Sequence, residues 1–218
     1  MELDTFYIGK YPVTQGLWKA VMGEGNNPSF FKGDLRPIES VSWNQIVFQF
    51  LPRLNQQICD TMPIDYSFRL PTEAEWEYAN QGGLVSIGFK YAGSDQLKNV
   101  GWYKGNSHSE TKDVGQKQSN ELGLCDMGGN VREWCWDWFN AGYFETCQKK
   151  GKVKNPPGPE RGTYRVYRGG SWFHYADYCR SAYRAYWQPW VYYNYVGFRL
   201  VLSPQSVGAF PAWGLSEL

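Results

Sequence analysis

Arg69-Leu70-Pro71-Thr72-Glu73-Ala74-Glu75-Trp76-Glu77-Tyr78-Ala79 reads as a strand end followed at once by a helix. Pro71 stops the extended segment, because it lacks the N–H a ladder needs. Thr72 is the N-cap, and Glu75 three residues later completes a capping box. Glu73, Glu75 and Glu77 crowd the helix start, where carboxylates complement the dipole. That placement favours capping and ion pairing over paired acid–base chemistry.

Working outward, Phe6 to Val13 reads as a short strand ended by Pro12. From Thr14 to Met22, Leu17, Trp18, Val21 and Met22 lie on one helical face, with Thr14 as cap. Ser42-Trp43-Asn44 opens a second helix to about Leu54, with Ile46, Val47, Phe50 and Leu51 inward. After Gly82-Gly83 only short strands and loops are expected, and Lys149 to Gly162 reads as a loop before strand-like sequence resumes at Tyr164. The pattern predicts one α+β domain over residues 1–218, with helices in the N-terminal third.

The composition bounds the function. Of 218 residues, 18% are aromatic and 24 are Gly, which describes many turns pinned by rings. Lys and Arg number 22 against 21 Asp and Glu. That balance argues against nucleic acid as partner, since phosphate neutralisation needs an excess of cations. No apolar run reaches the ~20 residues of a membrane span, so no membrane insertion by this segment is expected. Met1-Glu2-Leu3-Asp4 does not read as a signal peptide. Five scattered cysteines without a C-x-x-C pair, and two histidines, offer no zinc spacing and suggest mostly buried free thiols.

Six strings occur in order: Tyr11-Pro12-Val13-Thr14, Pro37 to Trp43, Arg69 to Ala79, Gly128-Gly129-Asn130-Val131-Arg132-Glu133-Trp134, Arg168-Gly169-Gly170-Ser171-Trp172 and Val196-Gly197-Phe198-Arg199-Leu200. Together they resemble the formylglycine-generating-enzyme (sulfatase-modifying factor) domain family over roughly residues 5–203. The resemblance implies a C-type-lectin-like fold with much irregular structure. Enzymes of that family hold Cu(I) on two cysteines five apart, the second opening a Cys-Ala-Ala-Arg string. Here the matching string is Ser181-Ala182-Tyr183-Arg184, and Ala176 stands five residues earlier. Two soft thiolates are what selects Cu(I), so no copper and no catalytic residue are expected. A copper-dependent formylglycine-generating oxidoreductase acting on a sulfatase cysteine is the alternative.

The resemblance also implies a structural Ca²⁺ site, with carboxylates from Asp126 and Glu133 and backbone carbonyls from Gly129 and Val131. These are hard oxygen donors of the kind calcium takes. The alternative is a hydrogen-bonded turn without metal.

Residues 173–195 contain ten aromatics in 23 positions, with neither helical nor strand period. Tyrosine clustered on irregular backbone is how paratopes are built. The expected ligand-binding residues are the solvent-facing subset of Phe173, His174, Tyr175, Asp177, Tyr178, Tyr183, Tyr186, Trp187, Trp190, Tyr192, Tyr193, Asn194 and Tyr195. A looped aromatic core is the alternative. Phe, His, Tyr, Asp and Asn all have codons reachable from AAY by changing adenines, whereas Trp187 and Trp190 do not. The pattern resembles the variable region of proteins diversified by a retroelement, which display variable residues on a C-type-lectin-like fold. That resemblance implies a non-catalytic display protein with a protein or cell-surface ligand. It also implies work at a surface, with the anchor outside these 218 residues.

Overall fold

A computed structural model describes residues 2–61 and 66–204. The expected C-terminal limit at residue 218 lies outside the described residues. The chain forms β1 (Tyr7–Ile8), α1 (Gln15–Met22), α2 (Trp43–Gln45), a π-helical stretch Ile46–Phe50, α3 (Leu51–Ile58), β2 (Tyr66–Arg69), α4 (Glu73–Asn80) and α5 (Leu97–Val100). It continues with β3 (Arg132–Trp138), α6 (Tyr143–Lys149), β4 (Arg165–Arg168), β5 (Arg184–Trp187), β6 (Val196–Phe198) and β7 (Val201–Pro204). Long loops dominate the rest, and no helix among the described residues is long and apolar enough to cross a membrane.

The helix starts form as the local chemistry dictates. Thr14 Oγ1 accepts the Leu17 N–H, and both Ser42 with Gln45 and Thr72 with Glu75 close reciprocal capping boxes. Two expectations are corrected. The second helix runs on to Ile58, beyond Leu54, because Leu54 and Ile58 still find core against β2 and α1. Helices also occur outside the N-terminal third, at Leu97–Val100 and Tyr143–Lys149. The latter is a seven-residue amphipathic turn that buries Cys147, too short to show periodicity in sequence.

Two sheets organise the molecule. A three-stranded antiparallel sheet has the order β1-β7-β2, and a four-stranded sheet has the order β5-β4-β3-β6, with β3 and β6 parallel. Trp18 stacks on Phe50 at 5.0 Å, and both meet Phe198 edge-on. Indole N–H groups pin helices to strands at depth. Trp43 Nε1 donates to Cys135 O at 3.0 Å and Trp134 Nε1 to Val41 O at 3.1 Å. Pairing a buried donor avoids a desolvation penalty of about 1–3 kcal/mol. β5 is the edge of the larger sheet, and it opens onto the aromatic segment.

Candidate functional site

The segment 173–195 folds as a 3₁₀ turn (Ala176–Cys179), the edge strand β5 and a loop returning to β6. Its backbone is tied down without help from most of its side chains. Carbonyls of His174, Pro189, Tyr193, Asn194 and Tyr195 accept from Lys104 N, Asn44 N, Ser40 N, Trp172 Nε1 and Arg132 N at 2.8–3.0 Å. The non-aromatic residues supply the frame. Cys179, Ser181 and Pro189 are buried. Arg184 grips the Glu73 carboxylate through Nε at 2.7 Å and Nη2 at 2.8 Å.

On that frame the rings join. Trp187 meets Tyr193 edge-on at 5.8 Å, Tyr193 stacks on Tyr195 at 4.9 Å, and Tyr195 stacks on Phe173 at 5.6 Å. From Tyr195 a second branch runs through His174 to Tyr178 and Tyr183. Lys104 Nζ lies 4.3 Å above the Tyr175 ring and 5.9 Å from Phe173. Phe173, Tyr175, Asp177, Tyr178, Tyr186, Trp187, Trp190 and Tyr192 are exposed, with Tyr175, Trp190 and Tyr192 each more than 60% accessible. His174, Tyr183, Tyr193, Asn194 and Tyr195 are half-buried and form the floor.

Tyr186 does not join them. Strand residues alternate in direction, so Trp187 meets Tyr193 while Tyr186 turns the other way. Its ring stacks on Phe139 at 3.9 Å and leans on Tyr164.

Beneath the rings lies Arg132, a residue the sequence reading left out of the site. It is 2% exposed, its guanidinium sits 5.1 Å from the Tyr167 ring and 5.2 Å from the Tyr183 ring, and its Nε donates to the His174 imidazole at 3.3 Å. Its Nη1 has no hydrogen-bond partner. Burial pulls its pKa down, and among the described residues no carboxylate pairs with it. Burial and the Arg132 charge pull His174 down to about 3, so its imidazole is neutral at ordinary pH. Its Nδ1 lies 2.6 Å from Ser171 Oγ. Arg132 stands inside a recognisable motif, but only the tertiary structure decides whether a carboxylate faces it.

The donor set for copper is one thiol. Cys179 is buried, donates to Tyr175 O at 3.5 Å, and is pushed up to about 12 by burial, so it is a thiol and not a thiolate. Ser181 and Ala176, the positions to which the resemblance assigns the family's cysteines, carry no thiol. These residues do not fit a two-thiolate Cu(I) site.

The calcium candidates are unequally available. Asp126 Oδ2 accepts from Gly115 N at 2.7 Å, its Oδ1 is buried without a partner, and burial pushes its pKa up to about 6. Glu133 is committed elsewhere: Arg199 donates to Oε1 at 2.8 Å and to Oε2 at 3.0 Å, and Trp76 Nε1 donates at 2.7 Å. Arg199 also donates to the Gly9 and Cys125 carbonyls. A guanidinium thus occupies both oxygens of one of the two carboxylates that a hard cation would need. Asp126 suits calcium, whereas the four residues as a set do not while Glu133 holds Arg199.

A lectin-like α+β scaffold that supports a tied-down aromatic face defines the class. The family model described as the sulfatase-modifying factor enzyme 1-like domain matches residues 1–204, and the chain belongs to that family. It is similar in structure to Treponema denticola variable protein 1, with TM-score 0.78 and 35% identity, over 93% of this chain and 86% of that one. In sequence it is 37% identical over 215 residues to the chaperone protein LppX of Paenibacillus barcinonensis, covering 79% of this chain and 71% of the relative. A formylglycine-generating enzyme of Thermomonospora curvata is 32% identical over 204 residues, covering 86% of this chain and 61% of the enzyme. The fold is thus the C-type-lectin-like fold of the formylglycine-generating type.

Proposed function

We propose that this chain is a non-catalytic binding protein that displays residues 173–195 to a macromolecular or cell-surface ligand. The observation that carries this reading is the division of labour within the segment. Six exposed aromatic side chains, Tyr186 being turned away, stand on a backbone held by carbonyl hydrogen bonds and by buried Cys179, Ser181 and Pro189. Such a surface changes its side chains without changing its shape, which is what a diversified binding site requires. Tyrosine and tryptophan supply contact area at low entropic cost. The likeness to a variable protein of Treponema denticola supports the binding reading, and we extend that reading to diversification of the segment by a retroelement and work at a cell surface.

The test is the simultaneous replacement of Tyr175, Tyr178, Trp190 and Tyr192 by Ala. Ligand capture is expected to vanish while Tm moves by a few degrees at most. Unfolding on the scale of buried aromatic truncation, roughly 3–5 kcal/mol for a single ring, would make the rings core and sink the proposal. Sequencing the gene from sister clones tests diversification, with substitutions expected only within about 173–195.

The alternative is a copper-dependent formylglycine-generating oxidoreductase, which the enzyme relatives favour and the single thiol at Cys179 disfavours. Oxygen consumption with a sulfatase-type cysteine peptide and added copper decides it, and none is expected.

A further inference from the structure

We infer that the aromatic face takes a ligand bearing a carboxylate, an Asp or Glu side chain of a protein partner, which pairs with the buried guanidinium of Arg132. The inference rests on the binding-surface reading above and adds the chemistry of what binds.

A buried cation without a counter-charge is costly, and proteins pair such groups. Of the other buried arginines, Arg168 and Arg199 follow that rule. Arg168 pairs with Glu77 and lies 3.6 Å from Glu73, and Arg199 pairs with Glu133 at 2.8 Å. Arg165 has no ion pair among the described residues and instead donates to Trp136 O at 2.6 Å, with its guanidinium 3.8 Å from the Trp43 ring and 3.5 Å from the Trp138 ring. Arg132 breaks the rule as well, and further than Arg165: among the described residues neither a carboxylate nor a backbone carbonyl accepts from its guanidinium, and its Nη1 is unsatisfied. Its aromatic neighbours offset part of the cost through cation–π contact, a weaker interaction than a salt bridge in the same place.

The position of Arg132 gives the unmet charge a direction. It lies under the half-buried rings of Tyr183, His174 and Tyr195, and the exposed Tyr178 packs on both His174 and Tyr183. Turning the outer rings aside would open a path from the display face. Lys104, over Tyr175 at the rim, adds a second positive charge on the approach. The exposed carboxylate of Asp177 is the opposing charge within the segment. One buried positive charge calls for one negative charge, so a carboxylate suits it better than a phosphate dianion, which would leave excess charge in a low-dielectric site. A guanidinium also matches a carboxylate in planar, bidentate geometry. Tyrosine rings surrounding a single desolvated charge pair describe the centre of a protein–protein hot spot.

The probe is a phage-displayed random peptide library selected on the whole protein. Selected peptides are expected to share one Asp or Glu, and its change to Asn or Gln in the synthetic peptide is expected to weaken binding about 30-fold or more. Arg132→Met is expected to lose the same factor and to be indifferent to the peptide's acid. Because it removes an unpaired buried charge, the variant is also expected to raise Tm, which a merely structural arginine would not do. If the variant fails to fold, the peptide-side change on the unaltered protein still decides the matter. Peptides lost on the Tyr175/Tyr178/Trp190/Tyr192 replacement yet insensitive to their own acids overturn the carboxylate inference and leave the surface reading standing. Peptides insensitive to that replacement overturn the surface reading itself. Failure to select any peptide, with sialyllactose or glucuronate binding instead, moves the carboxylate to a sugar and overturns the protein partner.

Discussion

Arg184 lays its guanidinium against the Glu73 carboxylate, Nε at 2.7 Å and Nη2 at 2.8 Å, joining β5 to the first turn of α4. The cap helix and the display strand are thus one unit. Glu73 is buried, and Arg168 stands 3.6 Å from its Oε1 as a second cation. Arg184→Ala leaves that carboxylate with the more distant arginine only. The expected loss is roughly 2–4 kcal/mol, below the upper range for breaking a buried pair because Arg184 is partly accessible. Urea denaturation measures it, and a loss below about 0.5 kcal/mol would show the pair to be as weak as a surface bridge.

Gly170 sits where no side chain fits. A Cβ there would come within 2.1 Å of Cys179 Sγ and 2.9 Å of Gly128 O. Gly170→Ala is expected to destabilise by about 1–3 kcal/mol through overpacking. Cys179→Ala removes the sulfur from that clash, so the double variant should recover part of the loss. Strict additivity in thermal melts would contradict a direct contact.

The neutral His174 has a pH signature. Its folded-state pKa of about 3 lies below the ordinary value of 6.5. Its stabilising contribution is therefore complete above pH 6.5 and is lost as pH falls toward 3. Each pH unit in that window costs up to about 1.4 kcal/mol. Relative to His174→Phe, which cannot titrate, the unaltered protein should lose stability faster between pH 6.5 and 4. Parallel Tm-versus-pH curves for the two proteins would show that the imidazole is not held neutral.

The Arg199–Glu133 pair makes a prediction about calcium. Adding millimolar CaCl₂ is expected to leave Tm where an equal ionic strength of NaCl leaves it, since Glu133 already holds a cation. A calcium-specific rise of several degrees would mean that Glu133 exchanges Arg199 for metal. Glu133→Gln is expected to destabilise by about 3–5 kcal/mol, because it leaves Arg199 buried with a neutral partner.

Most of the scaffold was legible from local chemistry. The caps at Thr14 and Thr72 form because a side-chain oxygen and a nearby backbone N–H need nothing else. The six ordered strings located the family, and the absence of a helical or strand period in 173–195 matched a segment that folds mostly as turn and loop. The helices Leu97–Val100 and Tyr143–Lys149 were not legible. Elements of four and seven residues barely complete one or two turns, too few for periodicity to accumulate.

The site divides the same way. By itself the sequence determined which residue types crowd the segment, and that Cys179 is its one thiol. Only the tertiary structure decided which rings share a face. The pleat of β5 sends Trp187 to the display side and Tyr186 to Phe139. Only the tertiary structure, too, separated Arg132 from Arg168 and Arg199. All three are buried arginines in family strings, yet two meet carboxylates and one meets rings. Residue type fixes the charge a side chain carries. Whether that charge is balanced depends on groups far apart in the chain, and packing alone brings those groups together.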